Sequence, residues 1–311
     1  MTTALLTHSD CLGHVTPPGH PERAARLEAV LRRLDQADFA ALKRVEAPLA
    51  DPDAVLRCHP QVYLDRVLDT IPDHGITAVD PDTHVSPGSL KAALRGVGGV
   101  LQAVDMVLGG QADNAFVATR PPGHHAERET AMGFCLFGNV AIAAKYALDH
   151  HGLSRVAIMD FDVHHGNGTQ DLLWDEARVL FASTHQMPLY PGTGSSAERG
   201  AHDNILNVPL PPHADSGRFR DAVDRQVIPA LQAFRPELLL LSAGFDGHRN
   251  DPLAQMELDT EDFTWITQRL CDLADACCGG KVVSTLEGGY DLEALADGVA
   301  AHVNVLLERG S

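Results

Sequence analysis

Short apolar runs alternate with segments of helical periodicity along almost the whole chain. Five runs are nearly continuous in apolar residues, as expected of parallel strands that are covered on both faces: residues 114–120, 155–163, 178–185, 236–246 and 281–289. Five other segments show the spacing of amphipathic or buried helices: residues 21–37, 89–110, 138–152, 217–234 and 259–278. The alternation predicts an α/β fold with a doubly wound, mainly parallel sheet. Because no linker, composition break or internal repeat interrupts it, one domain is expected over residues 1–311.

The net charge of the chain limits the kinds of molecule that the protein is expected to bind. The chain has 24 Lys and Arg against 42 Asp and Glu, a formal net charge of −18. An acidic surface does not favour nucleic acid, whose phosphates require basic patches, but it is compatible with a cationic substrate. The 17 histidines exceed what such a length usually carries, which prompts a search for a metal site.

The cysteines and the hydropathy of the chain indicate the cellular compartment in which the protein is expected. The six cysteines form no CxxC pair, and the first residues, MTTALLTHSD, do not resemble a secretory signal. No apolar stretch approaches the roughly 20 residues that a membrane span requires. The expectation is therefore a cytoplasmic protein without disulfides that does not associate with membranes.

Four of the predicted strands end in residues that carry chemistry. The residues in question are His124 and His125, then Asp160, Asp162 and His164, then Asp246, and finally Tyr290. In parallel α/β sheets, ligands bind beyond the carboxyl ends of the strands. This convergence of polar residues on one edge predicts an active site, and the long irregular stretches 72–87 and 186–204 are candidates for the walls of its pocket.

The segment DFDVHHG is the strongest candidate for binding metal. Asp160, Asp162 and His164 stand at alternate positions, so on a strand they would share one face. Carboxylates buried at a strand end require compensation, which a cation provides. Asp246 is the expected third ligand, and a site with one His, two carboxylates and an open position suits zinc or ferrous iron. The alternative is a solvated turn.

The remaining polar residues suit acid–base chemistry. His124 and His125 are too rigidly adjacent to chelate one ion together, but they could act as general acid and base beside a metal-bound water. Each then needs an orienting partner, for which Asp160 and Asn167 are available. Tyr290 follows two glycines and could stabilise an oxyanion. Surface histidines and a tyrosine that only packs are the alternatives.

Seven segments together resemble the zinc-dependent histone deacetylase family. They are CLGHVTPPGHPERAARL, RPPGHHA, GFCLFGNVAIAA, DFDVHHGNGTQ, PLYPGTG, SAGFDGHRNDPL and LEGGYDL, and they follow one another in order over nearly the whole chain. The resemblance is closest to the class II branch, which includes bacterial histone-deacetylase-like amidohydrolases. It implies an arginase-like α/β/α fold and removal of acetyl or other short acyl groups from acyl-lysine or similar acylamides.

The resemblance also implies roles for residues. Asp162, His164 and Asp246 would bind Zn²⁺. His125 would act as general base and then as general acid, while His124, backed by Asp160, would contribute mainly electrostatics or would assist proton transfer. Asn167 stands where class I members carry an acid, which agrees with class II and leaves His125 with a neutral partner. The hydroxyl of Tyr290 would hydrogen-bond the tetrahedral oxyanion.

Substrate-binding residues follow from the same resemblance. Gly133 and Phe134 match the acyl-lysine tunnel, the Gly133 carbonyl accepting the substrate amide N–H. Tyr190 matches the opposite wall, where many relatives have phenylalanine. Leu253 matches the mouth of the tunnel, and Asp82 is a candidate for contact with substrate at its rim.

A structural K⁺ ion is a further implication of the family. Asp160, Asp162, His164 and Ser183 match that site, in which backbone carbonyls supply much of the coordination. The family's long surface loops often contact other subunits, so a homo-oligomer is also expected.

Three alternatives to acyl-lysine deacetylation follow. Deacetylation of acetylpolyamines is compatible with the acidic surface, although Leu253 replaces the glutamate that polyamine-specific relatives tend to have. A binuclear manganese hydrolase of the arginase type would need acids where the chain has Gly166 and His248. A non-catalytic acyl-group binder would be expected to have lost Tyr290, a zinc ligand or one of the paired histidines.

Overall fold

The computed structural model describes residues 2–309, and its centre is an eight-stranded sheet in which every paired neighbour is parallel. The strand order is β2-β1-β5-β10-β9-β6-β7-β8, and β3 and β4 form a separate two-stranded antiparallel ladder. The strands are β1 Thr3–Thr7, β2 Lys43–Glu46, β3 Thr77–Ala78, β4 His84–Val85, β5 Asn114–Val117, β6 Val156–Asp160, β7 Val179–Gln186, β8 Ile205–Leu210, β9 Leu238–Ala243 and β10 Val282–Leu286.

Helices cover both faces of the sheet. They are α1 Ala24–Leu34, α2 Gln61–Thr70, α3 Ser89–Leu108, α4 Asn139–Asp149, α5 Asn167–Leu173, α6 Ser216–Ala222, α7 Ile228–Phe234, α8 Thr260–Cys278 and α9 Leu292–Arg309. Within the described residues, none of these helices is long and apolar enough to cross a membrane.

The pleat of the strands divides the interior into two cores. In β9, Leu239 and Leu241 pack with residues of α1 and α6–α9, whereas Leu238 and Leu240 pack with residues of α2–α5. Because consecutive strand residues point to opposite faces, an apolar residue is required at every position, which explains the continuous runs in the sequence. The result is the three-layer α/β/α architecture that the sequence predicted.

All five predicted strands are present, but four end sooner than the apolar runs suggested. β5 ends at Val117, β6 at Asp160, β9 at Ala243 and β10 at Leu286, so the chemistry-bearing residues other than Asp160 lie in the loops that follow. Five strands (β1, β2, β3, β4 and β8) and three helices (α2, α5 and α9) were not predicted. The edge strand β2, KRVE, is largely exposed and so has no apolar run to reveal it.

The predicted helix 217–234 is interrupted in the middle. A π-helical turn at Val223–Val227 separates α6 from α7, whose second residue is Pro229. Proline has no N–H to donate to the preceding turn, so a change in helical hydrogen bonding just before it is expected. The predicted start of α8 is confirmed, since Asp259 and Asp262 form a capping box there.

Candidate active site

The candidate catalytic residues come from four strands that are neighbours at the centre of the sheet, β5, β10, β9 and β6. The loop after β5 carries His124 and His125, and the loop after β6 carries Asp162 and His164. The loops after β9 and β10 add further polar residues at the same edge. Parallel strands end at one edge of the sheet, and this brings together residues that are far apart in sequence.

Three of these side chains converge closely enough to share one ion. His164 Nδ1 lies 3.2 Å from Asp162 Oδ1 and 3.1 Å from Asp246 Oδ2. All three residues are buried and form a group of potential metal ligands. Ligands at 2.0–2.1 Å from a tetrahedral Zn²⁺ lie about 3.3 Å from one another. The donor set and its spacing therefore fit a zinc-type ion.

The prediction that Asp160, Asp162 and His164 share one face of a strand is wrong, because β6 ends at Asp160 and residues 161–166 bend away from the sheet. The bend is held by carboxylates that accept backbone N–H groups. Asp160 Oδ1 accepts from Asp162 N at 3.1 Å, Asp162 Oδ1 from His164 N at 2.9 Å, and Asp246 Oδ1 from Val163 N at 2.9 Å. These bonds orient the carboxylates and satisfy buried donors at once.

A glycine makes the close packing of the two carboxylates possible. Gly288 donates its N–H to Asp162 Oδ2 at 2.8 Å. A Cβ at Gly288 would lie 2.0 Å from Asp246 Oδ2 and 2.5 Å from Asp162 Oδ2, which no side chain tolerates. The first glycine of LEGGY is therefore required by the approach of the backbone to the ligands, not by a turn.

The paired histidines have different orienting partners. His124 Nδ1 lies 3.0 Å from Asp160 Oδ2, and His125 Nδ1 lies 2.7 Å from Asn167 Oδ1. Asn167 uses its amide nitrogen to donate to Glu127 Oε1 at 2.7 Å, so its oxygen faces His125. His125 must donate from Nδ1 to that oxygen, and its Nε2 is then free to accept a proton.

Their environments separate the pKa values of the two histidines. Burial alone would lower the pKa of His124, but the carboxylates of Asp162 and Asp160 raise it well above the ordinary value. Burial lowers the pKa of His125 well below the ordinary value, and the nearby His124 and His164 lower it further. The two environments thus move the pKa values of the adjacent histidines in opposite directions, a pairing typical of acid–base sites.

Glu287 belongs to the site but was not predicted from the sequence. This fully buried carboxylate accepts the N–H groups of Gly123 at 2.7 Å and His124 at 3.2 Å through Oε2, and the hydroxyl of Ser242 at 3.0 Å through Oε1. Burial raises its pKa. Glu287 therefore holds the loop that carries His124 against the end of β9. The sequence feature that could have indicated Glu287 is an acidic residue directly after an apolar run.

Arg26 is a second unpredicted residue, and it lies beside Tyr290. Its guanidinium is fully buried, donates to the carbonyls of Gly289 at 2.6 Å and Glu287 at 2.5 Å, and lies 4.7 Å from the centre of the Tyr290 ring. Burial raises the pKa of Tyr290 well above its ordinary value, so the phenol keeps its proton and remains a hydrogen-bond donor.

A narrow pocket of about 210 Å³ leads to these groups. All five residues predicted to contact substrate line it: Asp82, Gly133, Phe134, Tyr190 and Leu253. His125, His164 and Tyr290 line it as well, together with Leu189, which was not predicted. Its exposed lining is mainly apolar, as expected for a channel that accepts an aliphatic chain.

Two of the lining residues are fixed by unusual backbone geometry. Gly133 and Phe134 both have positive φ, 56° and 68°, and a Cβ at Gly133 would lie 2.3 Å from the His125 ring. Asp82 Oδ1 accepts the N–H of Gly133 at 3.0 Å and the hydroxyl of Thr83 at 2.8 Å. Asp82 therefore supports the tunnel wall as well as lying on the pocket.

Ser183 lies opposite Asp160 in the register of β6 and β7, and its hydroxyl contacts His185 Nδ1 at 2.9 Å. It is buried beside the ligand loop, as the predicted K⁺ site requires. The K⁺ ion stays a prediction.

The chain belongs to the histone deacetylase family, whose domain model, "Histone deacetylase domain", matches residues 20–306. It is 41% identical to a histone deacetylase-like amidohydrolase of Pseudomonas aeruginosa, covering 89% of this chain and 75% of that protein. It is 37% identical to a probable deacetylase of Archaeoglobus fulgidus, covering 94% and 82%. Among solved structures, the HD domain of HDA15 matches with a TM-score of 0.93 and 33% identity, covering 99% of this chain and 88% of that one.

Proposed function

We propose that this protein is a zinc-dependent amidohydrolase that removes acetyl or other short acyl groups from Nε-acyl-lysine or similar acylamides. One observation carries the proposal. The trio of Asp162, His164 and Asp246 has the ligand spacing of a zinc ion, and its His164 lines a mainly apolar pocket together with His125 and Tyr290.

Zn²⁺ held by these three residues would supply a Lewis acid that polarises the acyl carbonyl and lowers the pKa of water. The chain's own residues do the rest. His125 accepts the proton of the attacking water at Nε2 and returns it to the leaving amine. His124, oriented by Asp160, contributes electrostatic stabilisation of the transition state. The Tyr290 hydroxyl donates to the oxyanion.

The pocket orients the substrate. Phe134 and Tyr190 flank the aliphatic chain of the acyl-lysine, and the Gly133 carbonyl accepts the amide N–H of the scissile bond. Leu253 and Asp82 contact the part of the substrate that remains at the mouth. A resident K⁺ near Asp160 and Ser183 would stabilise the loop that carries the zinc ligands.

The test is turnover by purified protein of known metal content. One arm uses acetyl-lysine peptides with acyl groups of increasing length, and the other uses acetylputrescine and acetylspermidine. Peptide turnover that is abolished by a chelator and restored by Zn²⁺ supports the proposal. Zinc-loaded protein that is inactive in both arms would contradict it and would favour a non-catalytic acyl-group binder.

Acetylpolyamine deacetylation is the second candidate. It is favoured by the net charge of −18 and by the carboxylate of Asp82 on the pocket, both of which would attract a cationic substrate. Polyamine turnover that exceeds peptide turnover would select it. A cytoplasmic location, the absence of nucleic-acid and membrane partners, and a homo-oligomer complete the proposal.

A further inference from the structure

Asp251 is not among the site residues described so far, but it accepts hydrogen bonds from the backbone of two of them, Tyr290 and Leu253. It lies in the loop between β9 and α8, five residues after Asp246, and its carboxylate is buried. Oδ2 accepts the N–H of Tyr290 at 2.7 Å and that of Asp291 at 3.4 Å. Oδ1 accepts the N–H of Leu253 at 3.0 Å. One carboxylate thus joins the backbone of the oxyanion donor to the mouth of the pocket.

The backbone of Tyr290 depends on such an anchor. The preceding residue, Gly289, has φ of +123°, a conformation that leaves the chain direction to be set by other contacts. On its other side, Asp291 begins α9 by accepting the N–H of Ala294 at 2.9 Å. The N–H of Tyr290 lies between Gly289 and Asp291 in the chain, and it donates to Asp251.

The Tyr290 ring has supports besides Asp251. Arg26 lies 4.7 Å from the ring centre, and the Phe134 ring lies 5.8 Å away in an edge-on arrangement. These contacts restrict the tilt of the ring. Arg26 also donates to the Gly289 carbonyl at 2.6 Å, and Asp251 accepts the Tyr290 N–H of the same peptide bond, so the two residues together hold the backbone from which the ring projects. A shift of the backbone would carry the hydroxyl with it.

Among the described residues, Asp251 forms no ion pair that would explain its burial. Its hydrogen bonds go to three backbone N–H groups, and burial together with the charge of Asp246 raises its pKa to about 7 despite those bonds. The carboxylate of Asp251 is buried at a position that disfavours its charge, and its two oxygens supply the acceptors that these N–H groups require.

We propose that Asp251 is a positioning residue that places the Tyr290 hydroxyl by anchoring its backbone N–H and ties that placement to Leu253 at the pocket mouth. Its effect on turnover rests on the proposed function, but its effect on Tyr290 does not. Substrate contacts at Leu253 are thereby linked to the oxyanion donor through a single side chain.

The first experiment observes Tyr290 without any substrate. The chain has four tyrosines, Tyr63, Tyr146, Tyr190 and Tyr290, so protein labelled with 3-fluorotyrosine gives four ¹⁹F resonances that Tyr→Phe variants assign. Asp251→Asn replaces one acceptor oxygen by a donor. It is expected to move or broaden the Tyr290 resonance and to leave those of Tyr63 and Tyr146 in place. An unchanged Tyr290 resonance would overturn the proposal.

A matched control is available next to the site. Asp291→Asn removes a neighbouring negative charge but keeps the cap of α9, because asparagine caps helices as well as aspartate. This variant is expected to leave the Tyr290 resonance nearly unchanged. If it shifts the resonance as much as Asp251→Asn does, the effect is one of charge and the anchoring role is refuted. Asp251→Glu, which keeps the charge but displaces the oxygens, serves if the asparagine variant does not fold, and a Tyr290 resonance that it leaves unmoved would refute the role equally.

The second experiment is a double-mutant cycle on turnover. Asp251→Asn is expected to lower kcat about 10- to 100-fold with full zinc content and a small change in KM, since misplacement of a catalytic group by about 1 Å has effects of that order. In the Tyr290→Phe background the same change should cause almost no further loss. Independent, multiplying losses would contradict the proposal. A wild-type protein that turns over no acylamide would refute the proposed function, and the ¹⁹F result would still decide the role of Asp251.

Discussion

Substitution of Gly288 by alanine tests the geometry of the ligand trio with one methyl group. Gly288 is not among the residues with positive φ, so alanine is compatible with its backbone conformation. The obstacle is the added Cβ, which would lie 2.0 Å from Asp246 Oδ2 and 2.5 Å from Asp162 Oδ2. Ordinary contact begins near 3.4 Å, so at least one carboxylate oxygen must move by more than about 1 Å.

A movement of that size is large for a metal site. Zinc–ligand distances are held within about 0.2 Å, so the displaced carboxylate can no longer bind with its neighbours. Changes one layer outside the ligands already cost 10- to 100-fold in metal affinity. Loss of a ligand should reach at least the upper end of that range, which corresponds to about 2.7 kcal/mol or more.

The assay measures zinc stoichiometry and affinity by equilibrium dialysis against a metal-buffering chelator, with circular dichroism to follow the fold. Gly217→Ala is the control, because a Cβ there meets only Asp215 Oδ1 at 3.4 Å, far from the ligands in sequence and on α6. We expect Gly288→Ala to remain folded and to lose zinc. Zinc bound at wild-type affinity by folded Gly288→Ala would refute the ligand geometry.

Three further predictions concern the catalytic groups and stability. Tyr290→Phe should keep zinc and lower kcat by roughly 10²–10³-fold if the hydroxyl is an oxyanion donor, and kcat near that of the wild type would contradict this role. His125→Ala should lower kcat/KM at least as much as His124→Ala, because burial lowers the pKa of His125 and its bond to Asn167 leaves Nε2 free to accept a proton, and the reverse ranking in steady-state assays would exchange their roles. Fully buried His302, whose pKa burial lowers to about 3, stays neutral in the folded state. The unfolded chain takes up a proton there below about pH 6.5, so stability should fall with decreasing pH from about 6.5 towards 3, by about 2 kcal/mol at pH 5. His302→Gln should lessen the difference between urea unfolding free energies at pH 7 and pH 5, and an equal difference in both proteins would show that His302 is not responsible.

Local pattern was sufficient for the class of fold and for predicting that most of the candidate site residues lie together. A parallel strand covered on both faces must be apolar at every position, so β6, β7 and β9 are visible as runs. Polar residues directly after such runs lie at one sheet edge whatever the order of the strands. The proximity of His124, Asp162, Asp246 and the other strand-end residues could therefore be predicted without knowledge of which strands are neighbours.

Some features of the fold could not be predicted from the local pattern, for physical reasons. The exposed edge strand β2 has too few buried residues to produce an apolar signal. The end of β6 at Asp160 was missed because the bend that follows is stabilised by carboxylates accepting N–H groups, not by a turn-forming residue at that point. The alternation of acids in DFDVH therefore looked like one strand face although only Asp160 belongs to the strand.

The sequence by itself determined an α/β domain of the histone deacetylase type, and it predicted a metal-ligand trio and a catalytic pair, because these residues follow strands that end at one sheet edge and lie in segments that resemble the family. Only the tertiary structure decided which groups support them. Arg26 contacts Gly289 across 263 positions, and Glu287 reaches Gly123 across 164. Such contacts leave no periodicity in the sequence, since a buried polar group is compensated by whatever partner the folded chain brings within about 3 Å.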